Sequence, residues 1–230
     1  MWNRQQVKEQ AKQIMKRNYW KMFVVTLIAS ILTGEKTTII ERIQDFASNN
    51  LSYDAQPIFY SSNFQYIFYS FISIASILGI LYTIFIGNVI VVGKNGYFIK
   101  NHDENPELGE IFKGFKGNYL NVVKIMFLMD LKTLLWLFLF IVPGVIKAYE
   151  YSMIPYLLAE NPNLSASEAF SLSKQMTTGQ KMDLFVLDLS FLGWIILGLI
   201  CCGIGILFVL PYPEATRAEV YLNLKESVEI

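Results

Sequence analysis

The chain has 230 residues, of which 53% are hydrophobic and only 17% are charged. Soluble domains carry about 25% charged residues, so this composition favours lipid as the surrounding solvent. Basic and acidic residues balance at 19 each, and without a basic excess we expect no nucleic-acid partner. The sequence contains no nucleotide-binding, metalloprotease or serine-hydrolase motif, and its single histidine, His102, lies in a polar loop. We therefore expect no catalytic site, no metal and no cofactor.

The chain begins with a predicted amphipathic helix over residues 4–17. Val7, Ala11, Ile14 and Met15 share one face at helical spacing, and Lys8, Lys12 and Lys16 share another. A basic amphipathic helix next to an apolar run is typical of a helix that lies on an anionic membrane surface. We therefore predict that Lys8, Lys12, Lys16 and Trp20 contact the membrane surface. A helix that binds a soluble partner is the alternative.

Apolar runs in the rest of the chain predict six membrane spans. The first run resembles the core of a signal peptide, but no small-residue cleavage site follows it, so we interpret it as a retained span. The run from Ala55 to Gly93 contains no charged residue and exceeds the roughly 20 residues that a span needs. The predicted spans cover about residues 22–33, 66–92, 119–143, 145–159, 181–200 and 205–224.

Short amphipathic segments precede the later spans. One runs from Leu108 to Phe115. Another begins at Ser165 and Glu168, whose spacing predicts a capping box at the start of a helix. Pro143-Gly144 and the Cys201-Cys202 stretch separate the third from the fourth span and the fifth from the sixth. Each unit thus consists of an interfacial helix, a polar break, a span, a connection and a returning span.

The sequence also repeats itself. Segments 127–136 and 185–194 share Phe, Asp, Leu and Trp at equal offsets, and the tripeptide Glu-Asn-Pro precedes each, at 104–106 and 160–162. Such repetition indicates stacked copies of one unit. We predict an all-α polytopic protein with a single membrane domain, residues 1–230. Repeat 1 covers 1–100 with an extracytoplasmic loop at 34–63, repeat 2 covers 104–159, and repeat 3 covers 160–230.

The distribution of positive charge predicts the orientation. Lysine and arginine concentrate at the N-terminus and in the segments that precede the spans, whereas the opposite loops hold only Lys36 and Arg42. Positive residues remain on the cytoplasmic side of a membrane. We therefore expect a multi-pass protein of the cell membrane with both termini and all interfacial helices in the cytoplasm.

Several charged residues fall inside the predicted spans. Asp130 and Asp188 occupy equivalent repeat positions, and counting 1.5 Å per residue from the outer turns puts Arg217 at their level, with Glu214 one turn above it. We predict that Arg217 contacts Asp188, with Asp130 as a second candidate partner. A pair of this kind would fix the helix register. A cation or proton site is the alternative.

Two further charged residues, Lys147 and Glu150, fall in the fourth span. The same count of residues from the outer turn puts them closer to the outer surface than the aspartates. We treat them as secondary polar candidates. Because the fourth span is short, the alternative is that both side chains face water.

Several segments carry a resemblance to a known family. Asn18-Tyr19-Trp20-Lys21, the stretch from Phe140 to Tyr149, the stretch from Tyr151 to Pro162 and the stretch from Phe185 to Phe191 resemble a bacterial integral membrane family catalogued as domain of unknown function 975. The resemblance covers nearly the whole chain and is strongest from about Tyr119 to Leu222. It implies a membrane location and brings no activity, substrate or catalytic residue.

Together, these features predict a non-enzymatic accessory or interaction protein of the cytoplasmic membrane. Its expected partner is the lipid bilayer, with a protein partner or a second copy of the chain as further candidates. A small transporter or permease that uses the intramembrane carboxylates is the alternative function. A lipid-processing enzyme is the third.

Overall fold

A computed structural model describes residues 2–33, 76–200 and 204–228, together with Ser70 and Ile74. Every regular element in these residues is a helix, which confirms the predicted all-α class. The outer loop at 34–63, the start of the second predicted span and the Cys201-Cys202 turn lie outside the described residues.

The helices follow one another with short connections. Helix α2 includes a π-helical turn at Thr83–Gly87. The bounds are α1 (Arg4–Thr33), α2 (Ser76–Lys100), a 310 helix (Leu108–Phe115), α3 (Tyr119–Leu139), α4 (Ile141–Tyr151), α5 (Ile154–Glu160), α6 (Ala166–Thr177), α7 (Lys181–Leu189), α8 (Leu192–Ile200), α9 (Ile204–Val209) and α10 (Pro211–Ser227).

A kink divides α1 into the predicted basic helix and the apolar helix that follows. Asn18 leaves helical geometry with φ −133° and ψ 25°. Its side-chain amide donates to the Asn101 side-chain oxygen at 2.7 Å, and the Arg17 guanidinium donates to the main-chain oxygen of Asn101 at 2.6 Å. Both asparagines are buried. Because buried polar groups need partners, these bonds fix the kink against the end of α2.

Helix α2 is longer at its C-terminal end than the sequence predicted. The predicted second span ended near Val92, with Lys94-Asn95-Gly96 as its stop, but the helix continues to Lys100. Tyr97 and Phe98 are buried, and the Lys94 ammonium contacts a carboxylate of α10 at 2.6 Å. Tertiary partners therefore outweigh the local stop signal.

The 310 helix packs closely against α2 through two glycines. A Cβ atom on Gly93 would overlap the backbone carbonyl of Ile111. A Cβ atom on Gly114 would lie 2.7 Å from the carbonyl oxygen of Val89. Only a residue without a side chain permits this approach at either position.

The fourth and fifth predicted spans are each interrupted. Ser152 and Met153 separate α4 from α5, and the Ser152 hydroxyl donates to the Tyr149 carbonyl at 2.8 Å. Pro155, in the first turn of α5, lacks the N–H that an uninterrupted helix would use. Ser190 and Phe191 separate α7 from α8.

Of the described helices, only α2 has both the length and the apolar composition to cross a membrane. Helix α3 has 21 residues but carries Lys124, Asp130 and Lys132. The helices after α3 are shorter than a bilayer is thick, since each residue adds only 1.5 Å. The six-span topology therefore stays a prediction.

Buried apolar residues form two clusters, whereas many other large apolar side chains are exposed. One cluster joins α1, α2 and α10 through residues such as Met22, Tyr97 and Tyr221. The second joins α2, α3 and α5 through residues such as Val122 and Ile154. Large apolar side chains remain exposed on the N-terminal half of α2, the C-terminal half of α3, the start of α4 and α8, including Ile77, Ile80, Leu135, Phe138, Phe140, Ile141, Val142, Trp194 and Ile196.

Candidate functional site: paired charges between helices

The predicted contact between Arg217 and Asp188 is present. The Arg217 guanidinium donates through Nη2 to Asp188 Oδ2 at 2.7 Å and through Nε to Oδ1 at 3.2 Å. The Tyr149 hydroxyl donates to the same carboxylate at 2.9 Å. These bonds join α7, α10 and α4. The Arg217 side chain is 46% exposed and that of Asp188 is 27% exposed, so the pair is half-buried.

The space beside this pair is small. A cavity of about 30 Å³ is lined by residues that include Tyr149, Tyr156, Leu187 and Asp188. A buried water needs at least about 10–15 Å³ of such volume, so the cavity holds about two or three waters at most. The carboxylate is thus held by its protein partners and does not open into a wide crevice.

The second candidate partner of Arg217, Asp130, is not in contact with it. Asp130 accepts a hydrogen bond from the side-chain amide of Asn88 at 2.7 Å, and it is exposed. Asn88 follows directly after the π-helical turn of α2, a distortion often found at functional sites. The two aspartates that the sequence predicted to be equivalent therefore have different partners, because different helices pack against them.

Glu214 does not join Arg217; it pairs with Lys94. The Lys94 ammonium lies 2.6 Å from Glu214 Oε1, and the Lys94 side chain is 7% exposed. Lys94 was missed because it was interpreted as a helix end. The apolar residues on both sides of it, from Val92 to Phe98, were the signal that the helix continues and that the lysine lies within it.

Glu150 binds two lysines. Its carboxylate lies 2.7 Å from Lys147 and 2.5 Å from Lys181, and the Ser173 hydroxyl donates to its main-chain oxygen at 2.7 Å. These contacts place Glu150 beside α6 and the start of α7. Its position nearer the outer surface than the aspartates stays a prediction.

The only histidine is also engaged. His102 Nδ1 lies 2.9 Å from both carboxylate oxygens of Glu219, whose side chain is buried. The sequence placed His102 in a solvated loop, because nothing local shows that α10 packs beside it. This contact joins the end of α2 to α10.

The 310 helix adds a group of ionic contacts near the end of α2. Glu110 contacts Lys100 at 3.0 Å and also contacts Lys113. Burial by itself would raise the pKa of Glu110, but the hydrogen bonds from the two lysines prevail and lower it. A cavity of about 500 Å³ borders these residues, and its third lysine, Lys225, contacts Glu160 at 2.7 Å. Each cation in this wall therefore already has a carboxylate.

The proposed membrane-surface residues of α1 occupy different environments. Lys8 donates to the Ser190 hydroxyl at 2.6 Å and lies over the Phe191 ring. Lys12 contacts Glu9 at 3.0 Å. Lys16 and Trp20 are exposed. Lys8 thus contacts the α7–α8 turn, whereas Lys12, Lys16 and Trp20 remain on the surface.

Residues 140–228 match the family described as Protein of unknown function (DUF975). This confirms, over α4 to α10, the resemblance seen in the sequence. The matched segment contains Asp188, Arg217, Glu214 and Glu150, but not Asp130 or the basic part of α1. No curated protein and no solved structure matches the chain. Within the described residues, no group of three or more His, Cys, Asp or Glu side chains could hold a metal ion.

Proposed function

We propose that this chain is a multi-pass protein of the cytoplasmic membrane that acts without catalysis, as an accessory or interaction protein. Its exposed apolar surface supports a lipid environment. Phe138 is 82% exposed and Ile141 is 75% exposed, at the connection between α3 and α4. Soluble monomers rarely expose large contiguous apolar patches, whereas a bilayer solvates them.

Two local similarities support the three-hairpin arrangement. Gly117 and Gly179, which precede α3 and α7, both adopt positive φ values, 83° and 78°. Lys21 in α1 donates to Asn105 at 2.8 Å, while Asn121, at the equivalent position of α3, donates to the Pro162 carbonyl at 2.9 Å. In each case, a residue near the start of the first span of a hairpin donates a hydrogen bond to the Glu-Asn-Pro segment that follows the second span of the same hairpin.

The observation that carries the proposed function is the pairing of the charged side chains. Asp188, Glu214 and Glu150 each contact a cation on another helix. The cavity at the Asp188 pair is only about 30 Å³. Ion pairs of this kind hold helices in register. A transport pathway would instead need a polar space that reaches the carboxylates, as in proteins that bind ions inside the membrane.

One observation favours a transporter as the second candidate. Asp130 is exposed and has only the neutral Asn88 amide as its partner among the described residues. An intramembrane carboxylate without a cation is costly unless it binds one. In this reading, Asp130 and Asn88 would form a cation or proton site beside the π-helical turn.

The membrane topology is tested by cysteine labelling in intact cells, in a variant whose two native cysteines are replaced. Cysteines placed at Gln175 and Glu226 should react with a membrane-impermeant reagent only after permeabilisation. A cysteine at Ser48 should react without permeabilisation. Labelling of Gln175 from outside would contradict the three-hairpin arrangement, and release of the protein by alkaline carbonate would contradict membrane insertion.

The choice between the two functions is tested by reconstitution into liposomes. We expect no proton, sodium or potassium flux above that of empty vesicles. The matched variants are Asp130→Asn and Asp183→Asn, which remove the same charge from α3 and from the first turn of α7. A flux that Asp130→Asn abolishes and Asp183→Asn preserves would replace the accessory role with transport.

A further inference from the structure

An apolar groove lies where the basic part of α1 meets α8, α9 and α10. It has a volume of about 460 Å³, within the range of ligand sites. Its walls include Lys12, Lys16, Tyr19, Trp194, Phe208 and Tyr212. We name it the aromatic groove. It spans the kink of α1, so it connects the basic helix to the apolar part of the structure.

Aromatic side chains build the apolar part of this groove. The rings of Phe23 and Phe208 stack with centroids 5.0 Å apart, and Trp194 meets Tyr212 edge to face at 6.4 Å. The Tyr19 hydroxyl donates to the Phe208 carbonyl at 3.0 Å, which uses the polar end of that side chain. Tyrosine and tryptophan are typical of the level where acyl chains meet headgroups.

The basic edge of the groove comes from two lysines of α1. Lys12 and Lys16 are four residues apart, so their side chains are neighbours on one helix face. Lys16 is exposed and forms no ion pair within the described part of the chain. Lys12 contacts Glu9 at 3.0 Å, but both side chains are at least half exposed, and such surface pairs are weak. An anion could therefore displace Glu9.

From these features, we propose that the aromatic groove binds one anionic phospholipid of the surrounding bilayer. The lipid phosphate lies between the Lys12 and Lys16 ammonium groups, and an acyl chain lies against Trp194 and Phe208. Charge complementarity selects an anionic headgroup over a zwitterionic one, while the apolar walls select a lipid over a free phosphate ion. The inference rests on the proposed membrane location and names the lipid class that the accessory protein contacts.

The test is lipid binding by the full-length chain, purified in detergent and observed by native mass spectrometry. Titration with phosphatidylglycerol should give one retained lipid at concentrations where phosphatidylcholine gives none. Each lysine near an anionic headgroup contributes roughly a fivefold change in affinity, so Lys12→Gln with Lys16→Gln should weaken binding about 25-fold. Lys16→Gln should have the larger single effect, because Lys12 already has Glu9.

The matched control removes two positive charges outside the groove, through Arg4→Gln with Lys116→Gln, both exposed positions. It should leave phosphatidylglycerol binding within about twofold of wild type. Equal losses in the two double variants would overturn the proposal in favour of non-specific charge attraction. Retained binding in the Lys12, Lys16 variant would also overturn it.

A second variant tests the apolar wall. Val209→Trp places a larger side chain in the lining of the groove and should abolish retention of the lipid. Its thermal unfolding in lipid-free detergent should remain close to wild type, which distinguishes a filled groove from a misfolded chain. A folded Val209→Trp variant that still retains phosphatidylglycerol would place the lipid elsewhere. Carbonate extraction of wild-type membranes tests the membrane location separately.

Discussion

The ion pair between Lys94 and Glu214 joins α2 to α10. Removing either side chain should lower the stability of the protein, but by different amounts. The Lys94 side chain is 7% exposed and that of Glu214 is 22% exposed, with 2.6 Å between ammonium and carboxylate. Glu214→Leu leaves a buried ammonium without a carboxylate, whereas Lys94→Met leaves a carboxylate that still reaches the surface. We therefore expect Glu214→Leu to be the more damaging change.

The magnitude follows from the burial of Lys94. Removing one partner of a buried pair lowers the free energy of unfolding by about 3–5 kcal/mol. In a chain of this size, 1 kcal/mol shifts the unfolding temperature by roughly 2–4 °C, so Glu214→Leu should lower it by roughly 6–20 °C. The double variant, Lys94→Met with Glu214→Leu, should recover most of this loss, because it leaves no unpaired charge.

The assay is thermal unfolding of the purified protein in detergent, followed by far-ultraviolet circular dichroism. Lys124→Met is the matched control, since Lys124 is an exposed lysine of α3, and it should leave the unfolding temperature nearly unchanged. A double-mutant cycle then gives the coupling energy of the pair. Additive losses in the double variant, or a larger loss for Lys94→Met than for Glu214→Leu, would refute the reasoning.

Two further variants test other contacts by the same unfolding assay. Arg217→Leu should lower the free energy of unfolding by about 1–2 kcal/mol, less than Glu214→Leu, because the Arg217 side chain is 46% exposed. Adding Asp188→Leu should recover part of that stability. A double variant no more stable than Arg217→Leu would reject the pair. Gly93→Ala should lower the unfolding temperature strongly, because the new Cβ atom would overlap the Ile111 carbonyl. Gly109→Ala is the matched control, because a Cβ atom there meets no atom within 4 Å. Equal stability of these two variants would contradict the close packing.

Local sequence signals predicted several elements correctly. The predicted capping box at Ser165 and Glu168 is present at the start of α6. The predicted end of the basic helix at residue 17 appears as the kink of α1 at Asn18. These features depend on residues within one or two helical turns of each other, so the sequence contains all the information they need. The contact between Asp188 and Arg217 was also predicted, because counting residues in both directions from the turn between the fifth and sixth predicted spans gives their relative level.

By contrast, the tertiary structure alone decided how the other charged residues pair. Lys94 contacts Glu214, Lys181 contacts Glu150 and His102 contacts Glu219, although nothing near these residues in the sequence indicates their partners. The rotation of each helix about its axis, and the helix breaks at Ser152 and Ser190, determine which side chains face each other. The level of a residue along a helix can be counted from the sequence, but the direction in which its side chain points depends on how the helices pack.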